Sequence, residues 1–160
     1  MTAPPRWRVV GADGSGIVVV DLDEDLRETG RTRGDVVDLA IAASAAPATT
    51  RWVWSDTARW YPQLLAHGVT AARGHDLRLC HAILRDSAWT PEASDLRGAV
   101  VWDAATAEPS DGAPALFDLD DGEAGAVGVP NGVDAAVDEF RRQRAALAGS
   151  TDPARLELLL

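Results

Sequence analysis

The chain has 160 residues, 46% of them hydrophobic, with 25 acidic side chains against 15 basic ones and a formal charge of −10. That length suits one ordinary core and that composition a globular chain; no apolar run approaches the roughly 20 residues of a membrane span, and MTAPPRWRVV lacks the apolar stretch of a secretory signal. The acidic balance argues against a module that grips nucleic acid alone, because such domains carry a basic face and the densest basic cluster here is Arg141, Arg142 and Arg144.

All 15 basic residues are arginine, which reflects a GC-rich genome and carries no functional signal. The single cysteine, Cys80, excludes an internal disulfide framework. It fits a reducing cytosol, so a cytoplasmic location is expected.

Trp7–Gly11 and Ile17–Leu22 read as two strands, with Asp13-Gly14 supplying the positive-φ residues of a tight hairpin. Asp21–Asp25 and Thr29–Gly34 then read as turns. Val36–Ala46 is predicted helical, with Val36, Val37, Ala40 and Ile41 on one face, and Pro47 ends it. Arg51–Trp54 is a short strand, Ser55 or Asp56 caps the next helix, and Gly68 stops it. Val69–Ala72 is expected to return as a strand. Asp76 then begins a helix, Leu77–Arg85, that buries Leu77, Cys80, Ile83 and Leu84. Leu96–Ala105 is apolar and reads as helix or strand, with helix preferred.

Residues 106–131 are rich in Pro, Gly, Ala and Asp and read as a mobile linker. Val133–Ala148 is an amphipathic helix, with Asn131 as its cap and Gly149 as its stop. Asp152-Pro153 starts a last helix, Ala154–Leu160, which ends in uncapped leucines. A leucine-rich end is costly when exposed, so the chain is expected to stop inside an element that continues in a longer parent.

Several clusters invite a chemical reading, and each has a plainer one. Asp21, Asp23, Glu24 and Asp25 read as a solvated turn, because consecutive carboxylates point in different directions and do not converge on a cation. Asp76 reads as a leftover metal ligand or, equally well and without a metal, as an N-cap. His75, Cys80 and His81 lie within six residues with no second ligand cluster, which argues against structural zinc; Cys80 reads as a small core residue. Trp52 and Trp54 alternate along a strand and share one face, so with Trp60 and Tyr61 they read as core and not as a base-stacking platform. Gly11 to Gly16 mimics a phosphate loop, but a strand follows it where that motif needs a helix.

The strings WVWSDTARWYPQLLAHGV and HDLRLCHAILRDS, with ALFDL (Ala115–Leu119), EFRRQRAALAGS and DPARLELLL, resemble the degenerate proofreading-exonuclease domain at the N-terminus of family A DNA polymerases from high-GC bacteria. The resemblance covers most of the chain and is densest from Arg51 to Ser87. It implies an α/β, RNase H-like 3′–5′ exonuclease fold with a small mixed sheet flanked by helices. Residues 1–106 would form the exonuclease-like domain, 107–131 a flexible acidic linker, and 132–160 a helical connector to a polymerase domain.

Active members of that family gather carboxylates from an Asp-x-Glu on the first strand, an Asn-x-x-x-Asp after a central strand, and a late Tyr- or His-x-x-x-Asp. Together these hold two metal ions. WRVVG has no carboxylate pair, and Asp21-Leu22-Asp23 is the nearest substitute. Asp56 falls near the asparagine position, but Trp60 takes the essential aspartate's place, and an indole cannot bind a hard cation. His81 is followed four residues later by Arg85. No catalytic, cofactor-binding or metal residue is therefore assigned, and no cofactor is expected. Mg²⁺ or Mn²⁺ would enter only in the alternative of a weak exonuclease using Asp21, Asp23 and Asp76. A third reading takes Leu116–Phe117 as a peptide that docks on a sliding clamp. The expected partners are a covalent or docked polymerase domain, DNA through that parent, and such a clamp, with no membrane.

Overall fold

A computed structural model describes residues 5–104 and 128–160. Trp7–Asp13 (β1), Gly16–Leu22 (β2) and Glu28–Gly34 (β3) form an antiparallel meander. Gly14, at φ +57°, makes the first turn with Ser15, while Asp13, expected to share the positive φ, is the last residue of β1 and pairs with Gly16. The chain then crosses through helix α1 (Val36–Ala45) to β4 (Arg51–Trp54), which lies parallel to β1. Helix α2 (Thr57–Ala66) leads to β5 (Gly74–Asp76), parallel to β4. The result is a five-stranded mixed sheet in the order β3-β2-β1-β4-β5. Helices α3 (Leu77–Asp86), α4 (Ser94–Gly98), a 3₁₀ turn (Val100–Asp103), α5 (Val133–Ala148) and α6 (Pro153–Glu157) complete the described residues. The fold is α/β. Among the described residues no helix is long and apolar enough to cross a membrane.

Strand alternation divides the core between the two faces of the sheet. Trp7, Val9, Val18, Val20, Leu22 and Val53 point to one face, where Val133, Ala136, Val137 and Phe140 of α5 cover them together with Leu77 and Trp102. Val10, Ile17, Trp52 and Trp54 point to the other, under Leu39 and Ala40 of α1 and Trp60 and Leu64 of α2. Trp52 and Trp54 are thus core residues. A satellite cluster of Leu84, Leu96, Leu147 and Leu156 ties α3, α4, α5 and α6 together. Helix α5, expected as a connector, supplies much of one core layer.

Several local expectations are corrected. Thr29–Gly34 is strand and not turn: ETGRTRG has no apolar alternation, but its backbone pairs with β2 from Ile17↔Gly34 to Leu22↔Glu28. The strand after α2 is Gly74–Asp76 and not Val69–Ala72. Gly74 admits the Trp54 ring, since a Cβ there would lie 2.7 Å from it, while Val69 packs into the core beside α2. Helix α1 buries Leu39 and Ala40 and leaves Val37 and Ile41 exposed. VVDLAIAASA is apolar almost all round, so periodicity could not select its inner face. On α3, His81 is buried where Ile83 was expected to be.

The described part of the apolar segment expected over Leu96–Ala105 is split between the end of α4 and the 3₁₀ turn. The N-cap of α5 is Gly132, not Asn131, and the last helix ends at Glu157, short of Leu160. The linker expected over 107–131 falls outside the described residues up to 127, as does the clamp-docking segment 115–119. Of its described end, Val129 is buried in the core.

Candidate functional site

In open α/β sheets, ligands sit beyond the carboxyl ends of the strands, where the strand order reverses. Here that point lies between β1 and β4, because the chain leaves β1 toward β2 and returns on β1's other side. Asp56, Asp76, Ser55 and Trp60, singled out in the sequence, all come to this end of the sheet.

The two carboxylates are committed to local structure. Asp56 caps α2, its Oδ1 accepting from Ala58 N at 2.9 Å, while its Oδ2 takes the Arg78 guanidinium at 3.2 Å. Asp76 caps α3 through Leu79 N at 2.9 Å and accepts from Thr57 N at 2.7 Å, joining the starts of both helices. Both side chains are buried. Trp60 is core, and its indole N–H donates to Ser55 Oγ at 3.1 Å. Ser55 in turn donates to Asn131 Oδ1 at 3.3 Å. The sequence reading missed Arg78, Ser55 and Asn131 as partners here.

The crevice itself is filled by the approach to α5. Ala12 N donates to Asn131 O at 2.8 Å, and Ala12 bridges Gly132. A Cβ on Gly11 would lie 2.4 Å from Val133 Cα and 2.5 Å from Val133 N, so only glycine permits this approach. Gly11→Ala is expected to force α5 away from β1 and cost about 2–3 kcal/mol. Denaturant unfolding of the variant checks this; a midpoint equal to that of the parent chain would show that the approach is looser than described.

Asp21 and Asp23 do not join this group. Asp21 pairs with Arg8 at 3.0 Å, and Asp23 Oδ1 accepts from Asp25 N and Arg27 N, both at 2.9 Å, within its own turn. Asp21 lies on β2 and Asp76 ends β5, with β1 and β4 between them. Three strand spacings separate those two strands by about 14 Å. The structure therefore does not bring Asp21, Asp23 and Asp76 to one cation. Among the described residues no group of three or more His, Cys, Asp or Glu side chains is placed to hold a metal ion.

The histidines belong to a buried network between α3 and α5. Gln143 Nε2 donates to Leu77 O and to Glu139 Oε1, each at 2.8 Å. Its Oε1 must then accept, so the proton of His75 is on Nε2, 2.8 Å away. That leaves His75 Nδ1 to accept from the Cys80 thiol at 3.8 Å. Burial pushes His75 down to about 4, partly offset by its bond to Gln143. Burial, with the negative charge of Asp76 nearby, pushes the Cys80 thiol up to about 12. It is an inert core thiol.

His81 Nδ1 donates to Glu139 Oε1 at 2.8 Å, and Nε2 faces Asp103 Oδ1 at 3.2 Å without the alignment of a hydrogen bond. Arg142 holds the other Glu139 oxygen, and Arg85 holds Asp103. Glu139 and Gln143 were also missed, although two polar residues four apart on the stripe of Ala136, Phe140 and Leu147 were the available signal. Comparison with protein families, with curated proteins and with solved structures finds no match to this chain.

Proposed function

We propose that this chain is an RNase H-like, exonuclease-type domain of a family A DNA polymerase, serving cytoplasmic DNA replication and repair as a structural support and not as a nuclease. The observation that carries the reading is the filled switch point. A two-metal exonuclease needs an open cavity ringed by carboxylates at this end of the sheet. Here Gly11 abuts Val133, Trp60 is packed in the core, and Asp56 and Asp76 cap helices.

The strand order supports the fold half of the proposal. An antiparallel meander, continued by two strands parallel to its first and flanked by helices, is consistent with the small mixed sheet that the resemblance implies. The strings from Arg51 to Ser87 support the family. DNA would then reach the domain through the parent protein, in keeping with a charge of −10.

Two measurements test the reading. Incubation with Mn²⁺ and 3′-labelled single-stranded DNA is expected to leave the label as in a metal-free control; robust digestion that disappears in Asp56→Asn or Asp76→Asn would overturn the structural role. Thermal unfolding of a family A polymerase domain, with this chain joined or added in trans, is expected to show a raised midpoint. An unchanged midpoint in both formats removes the support function.

A further inference from the structure

Arginines gather at the amino-terminal edge of the sheet, the end opposite the filled crevice. Trp7 and Arg51 are register partners on β1 and β4. The guanidinium carbons of Arg6, Arg51 and Arg144 lie 5.9, 5.5 and 5.2 Å from the centre of the Trp7 ring system. The indole face compensates part of this concentrated charge. Among the described residues, one carboxylate is held closely by this group: Glu157 of α6 takes two contacts from Arg144 Nη1 at 3.0 Å and lies 3.8 Å from Arg51 Nη1. Arg6 pairs, among the described residues, with Glu24 at 3.6 Å, and the Glu24 side chain is 83% exposed.

The donor count is therefore uneven. Each guanidinium carries five N–H donors in a planar fork suited to phosphate. Among the described residues, neither Arg6 nor Arg51 donates a side-chain hydrogen bond, and Arg144 donates only through Nη1. Arg51 and Arg144 keep 24% and 27% of their side-chain surface in solvent, so an anion can reach them. Arg51 and Arg144, two cations with spare donors, share the Glu157 carboxylate, and this favours a second oxyanion.

We propose that Arg51 and Arg144, with Arg6 at the rim, form a binding site for a phosphate group, and that the Glu157 carboxylate competes for it. The site lies away from the switch point and does not depend on the polymerase reading. The phosphate could be a terminal monoester or a backbone diester of a polynucleotide. Both present the oxygens these forks would clasp.

NMR titration of the whole chain, following the arginine Nε–H and tryptophan indole signals, tests the proposal. The probes are inorganic phosphate and a short single-stranded oligonucleotide carrying either a 5′-phosphate or a 5′-hydroxyl. Saturable shifts centred on Arg51, Arg144 and Trp7 are expected. Preference for the 5′-phosphorylated strand would assign a monoester, and equal binding of both strands a diester. Arg51→Ala should weaken binding about tenfold or more, and Glu157→Gln should tighten it several-fold. The gain in Glu157→Gln reads the site even if Arg51→Ala disturbs the fold. Shifts scattered over the surface, or none at these residues with phosphate in the tens of millimolar, would overturn the assignment, as would weaker binding by Glu157→Gln.

Discussion

Replacing Glu139 with alanine is expected to destabilise the chain by about 3 kcal/mol, because two buried donors, the His81 ring and the Gln143 amide, each lose an acceptor. Glu139 is fully buried, and its two oxygens receive the His81 ring, the Gln143 amide and the Arg142 guanidinium. Alanine would leave the His81 and Gln143 donors facing a void between α3 and α5, whereas Arg142, a third exposed, keeps access to solvent. Phe140 beside it anchors α5 to Trp7 and His75, with ring centres 4.9 and 5.2 Å away, so any shift of α5 would spread into the sheet core. Glu139→Gln keeps an acceptor for His81 and should cost nearer 1 kcal/mol. Urea unfolding of the three proteins measures the difference. If Glu139→Ala unfolds within about 1 kcal/mol of the parent, the network is not what joins these helices.

Acid is expected to weaken the chain through His75. Its ring is buried and its folded value is pushed down to about 4, against an unfolded histidine near about 6.5. A group depressed on folding binds fewer protons in the folded state, so stability rises with pH between those values. His75's contribution is complete above about 6.5 and is lost as the pH falls toward about 4. The difference amounts to about 3 kcal/mol at full protonation. Unfolding free energies at several pH values in that window should fall more steeply for the parent chain than for His75→Leu, whose residual slope reports the other titrating groups. Equal slopes would mean that His75 takes up its proton without disturbing the fold, against the neutral tautomer that Gln143 and Cys80 define.

Much of the local structure was legible along the chain. The β1–β2 hairpin turning at Gly14, the capping of α2 and α3 by Asp56 and Asp76, the strand Arg51–Trp54 and the helix Val133–Ala148 all rest on residues a few positions apart. Capping, turn chemistry and periodicity act over that range. Reading failed where those signals were silent. β3 has no apolar alternation and exists because β2 offers it a ladder, and α1 is apolar on nearly every side, so only its neighbours could choose the buried face.

From the sequence by itself came the α/β character, the capping role of the two aspartates, and the core placement of Trp52 and Trp54. The tertiary structure alone decided which distant residues meet. Ser55 finds Asn131 across 76 positions, His75 finds Gln143 across 68, and His81 finds Glu139 across 58. It also set Val133 against Gly11 and gathered Arg6, Arg51 and Arg144 around Trp7. Such meetings depend on how helices pack across a sheet, and packing is a property of whole surfaces in contact. No spacing rule along one strand or one turn of helix encodes them.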